Sequence, residues 1–284
     1  MSAIIAALPY PFDLGFMERA LVAGVIVGIF APMIGTFVVQ RRMSLIGDGI
    51  GHVAFAGVGA GLVLGVSPVW AALALAVAGA LGVEWLRSRR AATGDLALAL
   101  FFFSGIAAGV VLVSIGGGLD ASLLGYLFGQ PLTVDDGEIV TIVALGVVVV
   151  SVVLVLRRSM FSVVTDEEWS RVAGLPVGLL NSTLAVLIAV SVVAAMRIVG
   201  ILLIAALMVL PVASGQLVAR SFRGTMWWSV AFGVASVIAG LAASRIWGVA
   251  PGGAIVLISA AAFGVLAIAR RGAMPRIPAE GAGL

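Results

Sequence analysis

Nine apolar runs, each about as long as a membrane is thick, limit what this chain can fold into. They cover residues 17–39, 43–66, 68–86, 96–115, 139–156, 177–196, 198–218, 226–244 and 251–269. A helix of about 20 apolar residues crosses a hydrocarbon core of ~30 Å. Water is missing there, so each run must satisfy its own backbone as a helix. The 284 residues are 62% hydrophobic and 10% charged, whereas about a quarter of a soluble domain is charged. The expected fold is all-α: a polytopic transmembrane helical bundle in one domain, residues 1–284. It has nine spans, with eight as the alternative count.

Arginine placement tests the count. Successive connections carry Arg41 and Arg42, none, Arg87, Arg89 and Arg90, none, then Arg157, Arg158 and Arg171. They continue with Arg197 alone, Arg220 and Arg223, Arg245 alone, and finally Arg270, Arg271 and Arg276. Rich and poor alternate throughout. The positive-inside rule then places the N-terminus outside and the C-terminus inside, which requires an odd number of crossings and favours nine. The start, with Pro9, Pro11 and no basic region, does not read as a cleaved signal peptide. The tail, residues 272–284, is expected to be disordered.

Missing residue types exclude chemistries. There is no cysteine, hence no disulfide or thiolate metal site. All 16 basic residues are arginine. A P-loop needs a lysine at the phosphates, so this chain is not expected to hydrolyse ATP itself. A pI near 10.5 would fit nucleic acid. The arginines form no patch, however; they mark the ends of apolar runs, and no nucleic-acid partner is expected.

The second run carries the unusual residues. Asp48 and His52, the sole histidine, lie four apart on one helical face. An aspartate at a helix centre costs on the order of 3 kcal/mol of insertion free energy. Such residues read by default as functional, with a partner nearby. Counted from Met43, Asp48 should lie ~8 Å and His52 ~14 Å along the helix, near mid-membrane. Gly47, Gly51, Gly57 and Gly61 let neighbouring backbones approach, so this helix should sit at a crowded centre. Packing alone would explain the glycines but not the acid and the imidazole.

Other segments are less specific. The acidic outer connection contains LLGYLFG, either an interfacial helix or a plain loop. On the inner side Thr165 reads as an N-cap with Glu168 three residues on, and Gly174 and Pro176 as stops. A short cytosolic helix of two to three turns follows, with Trp169 and Val172 on one side. It is either a docking anchor for a partner or an interfacial helix. Pro32 should kink the first run and Pro211 should break the seventh late. Arg197 and Arg245 could snorkel to the interface. No inverted repeat is visible.

Four ordered motifs now matter together. They are G-x-F-V-V-x-R-R-M-S-x-x-G-D-x-x-x-H at residues 35–52, D-x-x-x-x-x-Y-L-F-G at 120–129, DEEWSRVAGLPV at 166–177, and R-I-V-G-x-L-L-I-x-A-L-x-V-L-P-x-A at 197–213. The chain resembles the membrane permease of ABC-type zinc/manganese importers over nearly its whole length. That resemblance implies a prokaryotic plasma-membrane subunit working as a homodimer. Two copies of an ABC ATPase subunit would drive it, and an extracytoplasmic metal-binding protein would deliver the ion. It implies Asp48 and His52 as metal ligands of the transport path, and Asp120, Tyr126 and Arg197 at the outer mouth or gate. It also implies Asp166, Glu167, Glu168, Trp169 and Gly174 as the ATPase-coupling helix. No permanent cofactor is implied; zinc or manganese is cargo, with iron also open. One departure stands out: some zinc-type members carry a further histidine near the position of Phe102 and Phe103.

A two-fold dimer with run two near its axis would offer four ligands, enough for a tetrahedral ion. Imidazole with carboxylate suits zinc, and carboxylate with water suits manganese. An ion-coupled secondary metal transporter is the alternative, but it needs relay acids in several runs. A non-transporting structural protein needs neither Asp48 nor His52. An intramembrane hydrolase needs a nucleophile, and only Ser44 or Ser104 could come near His52 in space.

Overall fold

The computed structural model describes residues 10–89, 93–118, 121–130 and 134–273. Among these every regular element is helical: α1 Gly15–Gln40, α2 Ile46–Leu64, α3 Pro68–Ser88, α4 Gly94–Ile115, α5 Ala121–Phe128 and α6 Asp136–Thr165. Then come α7 Glu167–Val172, α8 Val177–Ala195, α9 Ile201–Val218, α10 Phe222–Trp247 and α11 Pro251–Ala273. Nine of them are long and apolar enough to cross a membrane, which matches the nine runs. The short α5 and α7 are the exceptions.

Starts and stops follow local chemistry. Thr93 and Ser221 cap α4 and α10 by accepting the amides of Leu96 and Gly224. Asp135 and Glu138 form a reciprocal capping box at the start of α6. Gly65 and Gly248 close α2 and α10 in the left-handed region, with φ of 67° and 65°.

Four expectations are corrected. The second helix begins at Ile46 because the chain first turns through residues 41–45, with Arg42 left-handed at φ 59°. Asp48 is therefore in its first turn, and His52 only about 9 Å from its start. The fifth run does not stop at residue 156: α6 carries Arg157 and Arg158 onward to Thr165. Pro211 does not break α9, which runs through it to Val218. Packed neighbours make a proline tolerable in such a helix. The last helix extends to Ala273, beyond the expected onset of disorder at 272; the rest of that tail lies outside the described residues.

The helices α1, α2 and α8 are the most enclosed. Around α2 stand α3, α4, α8 and α9; around α1 stand α6, α8, α9 and α10, with α11 outside α9 and α10. Between helices lipid supplies no hydrophobic drive, so close packing of small residues must do it. Gly47 and Gly51 face Ala205 and Ile201 of α9, and Gly57 and Gly61 face Ala72 and Pro68 of α3. On α1, a Cβ at Gly35 would collide with the Met208 carbonyl of α9.

That contact gives a stability test. Gly35→Ala should lower the thermal midpoint in detergent, at a cost of about 1–3 kcal/mol for overpacking. Gly264→Ala, where a Cβ meets nothing within 4 Å, should be neutral or gain up to ~1 kcal/mol. Thermal unfolding followed by circular dichroism separates the two.

Candidate functional site

At α2 the side chains of Asp48 and His52 share the one edge its neighbours leave open. Their Oδ1 and Nε2 atoms are 3.9 Å apart, too far for a hydrogen bond. The aspartate side chain is 32% exposed and the imidazole 15%. On the α4 side the Phe102 ring stands edge-on to His52 at 4.7 Å, and Phe103 stands on Phe102 at 5.2 Å. Gly105 brings the α4 backbone close, since a Cβ there would lie 2.8 Å from the Val53 amide nitrogen. The pair is thus walled by an aromatic edge and open beside Asp48. Among the described residues no group of three or more His, Cys, Asp or Glu is placed to hold a metal ion. One chain therefore offers an ion two ligands here.

At the arginine-poor end the short α5 packs on α9. Its LLGYLF segment is helical rather than a plain loop. Arg197 lies between α8 and α9, and its side chain is folded inward. Its Nη2 donates to Glu138 Oε2 at 3.1 Å, its Nε lies 3.0 Å from Oε1, and its guanidinium sits 4.9 Å above the Tyr126 ring. This is an ion pair with a cation–π contact, and snorkelling does not describe it. Arg245, by contrast, lies over the Phe16 ring. A cavity of about 460 Å³ opens beside Arg197, lined also by Trp70, Tyr126, Asp135, Glu138 and Thr141. Burial pushes the Tyr126 phenol up; Arg197 opposes this and Glu138 adds to it. Asp120 lies outside the described residues.

Behind the cavity the backbones touch. Gly129 and Gly200, at φ 77° and 94°, face each other's main chain, and the Gln130 amide donates to the Arg197 carbonyl at 3.0 Å. A Cβ on Gly252 of α11 would strike the Val199 and Phe128 carbonyls. Only glycine fits this three-way crossing.

At the arginine-rich end α7 is shorter than expected, six residues, and its cap is Asp166, which accepts the Trp169 amide at 2.9 Å. Thr165 still belongs to α6, so the expected Thr165–Glu168 box does not form. Trp169 and Val172 are 67% and 81% exposed, and Glu168 and Gly174 are exposed too. Gly174 turns the chain at φ 80°. Glu167 faces the other way. It accepts from Arg87 Nη1 at 3.1 Å, Arg171 Nη2 at 3.0 Å and Asn181 Nδ2 at 3.2 Å. Arg87 also grips Glu84 in α3 through two hydrogen bonds of 2.8 and 2.9 Å. Arg41 Nη2 lies 3.8 Å from Glu167 and 3.9 Å from Glu84. Burial, and then the Arg87 charge, hold the Arg41 pKa below its ordinary value against both glutamates.

Sequence reasoning missed Glu84, Glu138 and Asn181. Glu84 left a trace, an acid three residues before Arg87 inside an apolar run, the spacing of a helical ion pair. Asn181 left none.

Nine helices long and apolar enough to cross a membrane, with no strand among the described residues, define a multi-pass integral membrane protein. The chain belongs to the ABC 3 transport family, which it matches over residues 13–270. It is similar to the high-affinity zinc uptake system membrane protein ZnuB of Haemophilus influenzae, 29% identical over 79% of this chain and 86% of that one. It is equally similar to the manganese transport system membrane protein MntC of Listeria innocua, 30% identical over 82% of each. The solved structure of PsaBC from Streptococcus pneumoniae in complex with Fab superposes with a TM-score of 0.81 at 28% identity. That match covers 89% of this chain and 91% of the other.

Glu167 yields a pH test. Burial alone would raise its carboxyl, but the Arg87 hydrogen bond and charge, with Arg41 and Arg171, win and hold it below the ordinary 4.5. A depressed carboxyl stabilises fully above its unfolded pKa, and that stability is lost as pH falls through the folded value. Parent and Glu167→Gln should therefore differ most in thermal midpoint near neutrality. The gap should close as pH drops below 4.5.

Proposed function

We propose that this chain is the membrane permease of an ATP-binding-cassette importer for a divalent transition metal. The observation that carries the proposal is the Asp48–His52 pair: two metal-capable side chains on a glycine-packed helix, sharing its one open edge. Zinc or manganese passes as cargo. Two ligands per chain make an incomplete site, and a second copy related by a two-fold axis completes it. Such a site holds the ion weakly enough to let it leave.

The arginine-rich end is cytoplasmic, in the plasma membrane of a prokaryote. The N-terminus is outside and the C-terminus inside. Hydrolysis belongs to a separate ATPase subunit, one per permease, because this chain has no lysine for the phosphates. Trp169 and Val172 offer that subunit an apolar anchor beside Glu168 and Gly174, with Asp166 as the helix cap. An extracytoplasmic metal-binding protein delivers the ion at the other end, where Tyr126 and Arg197 form the mouth together with Asp120, which precedes Tyr126 closely in sequence. The relatives named for zinc and manganese transport support the cargo class. Phe102 on His52, where some zinc-type members have a histidine, weighs toward a site that uses fewer imidazoles.

Two measurements test this. In proteoliposomes with the ATPase, Asp48→Ala and His52→Ala should each cut ATP-driven zinc or manganese uptake by roughly tenfold or more, as loss of even an outer-shell metal partner does. Uptake at the parent rate in both would remove the pair from the path. Trp169→Ala should weaken co-purification of the ATPase while the thermal midpoint of the permease stays put. Normal assembly would leave α7 as a surface helix without a docking role.

A further inference from the structure

The charged cluster behind α7 connects three elements that the sequence keeps far apart. Glu167 belongs to α7, Glu84 and Arg87 to α3, and Arg41 to the turn that launches α2. The side chains are enclosed: Glu84 is 9% exposed, Arg41 12%, Arg87 21% and Glu167 28%. Charges so enclosed are costly unless paired with good geometry. Arg87 meets that condition, with three hydrogen bonds of 2.8 to 3.1 Å that tie both carboxylates to one planar group. Arg41 meets it less well. Its Nη2 is buried and makes no hydrogen bond among the described residues, only the two longer charge contacts.

We infer that Glu84, Arg87 and Glu167, with Arg41, are positioning residues that link the ATPase-docking helix to the metal-ligand helix. The inference rests on the reading of α7 as the docking element and adds the route inward from it. Three observations set the route. The outward face of α7 is Trp169 and Val172, so a partner can hold the helix without touching Glu167. Glu167 points inward and its bonded partners include α3 and α8 residues, Arg87 and Asn181. Arg41 stands five residues before Ile46, where α2 begins, and Asp48 lies in the first turn of that helix. The Ser162–Ser170 contact of 2.9 Å anchors α7 to α6, and the Ser170 bond to the Asp166 carbonyl stays within α7 and its cap. They do not reach α2 or α3. Displacing α7 therefore pulls on α3 through Arg87 and on the start of α2 through Arg41. Breaking the link lets α7 move while the ligands stay.

The readout is the number of metal ions imported per ATP hydrolysed, in proteoliposomes of permease with ATPase. Glu167→Gln keeps the shape and the Asn181 contact but removes the charge. It should lower this ratio about tenfold. Arg87→Lys keeps the net charge, so the cluster stays neutralised, but a single ammonium lacks the planar fork that grips two carboxylates. It should lower the ratio several-fold. A merely structural cluster would reduce the amount of active complex, so uptake and hydrolysis would fall together and the ratio would hold. An unchanged ratio in both variants overturns the link. The docking reading fails separately, if Trp169→Ala assembles with the ATPase and imports as the parent does.

Discussion

Helices in a bilayer gain nothing by hiding apolar surface from one another, because lipid is as apolar as leucine. What holds this bundle together is close approach of backbones, and α2 is where that matters most. Gly47 and Gly51 admit α9, Gly57 and Gly61 admit α3, and Gly105 of α4 brings that helix against the backbone at His52. With three sides so tightly occupied, the polar residues of α2 can only share the edge that is left. Packing thus decides where Asp48 and His52 point. A bulkier α2 would spread its neighbours and give the two side chains no defined opening.

Charge is spent at the two ends and withheld from the middle. At one end Arg197 and Glu138 pair under Tyr126; at the other Arg87 bridges Glu84 and Glu167. Both clusters join segments remote in sequence, by 59 and 80 residues across their longest hydrogen bonds. They fix relative positions that apolar contacts between small residues leave soft. Between them, Asp48 and His52 stand 3.9 Å apart without a hydrogen bond, so neither is committed to the other.

The spans were legible because length and hydropathy alone decide whether a helix can cross a membrane, and nine runs became nine such helices. The pairing of Asp48 with His52 on one face was legible from a spacing of four. Their place close to the start of the helix was not. It depends on the turn before α2, where Arg42 takes a left-handed conformation that propensity disfavours for a residue with a side chain. The cap of α7 was misplaced by one residue because Thr165 and Asp166 are both good caps, and α6 continued far enough to absorb the first. Glu167 reads in sequence like its neighbours Asp166 and Glu168. Only the arrival of α3 and α8 distinguishes it, and contacts between distant segments leave no local signature. Arg197 was ambiguous for the same reason, since its partner Glu138 lies on α6, 59 residues away in sequence.

The crossing at Gly129, Gly200 and Gly252 has a consequence of its own. Main chain there rests on main chain, and glycine at all three positions is what permits so close an approach. Adding even a methyl group at any of the three would drive it into neighbouring backbone and force whole segments apart. A side chain introduced at that corner would therefore displace α5, the bend after α8 and the head of α11 from one another.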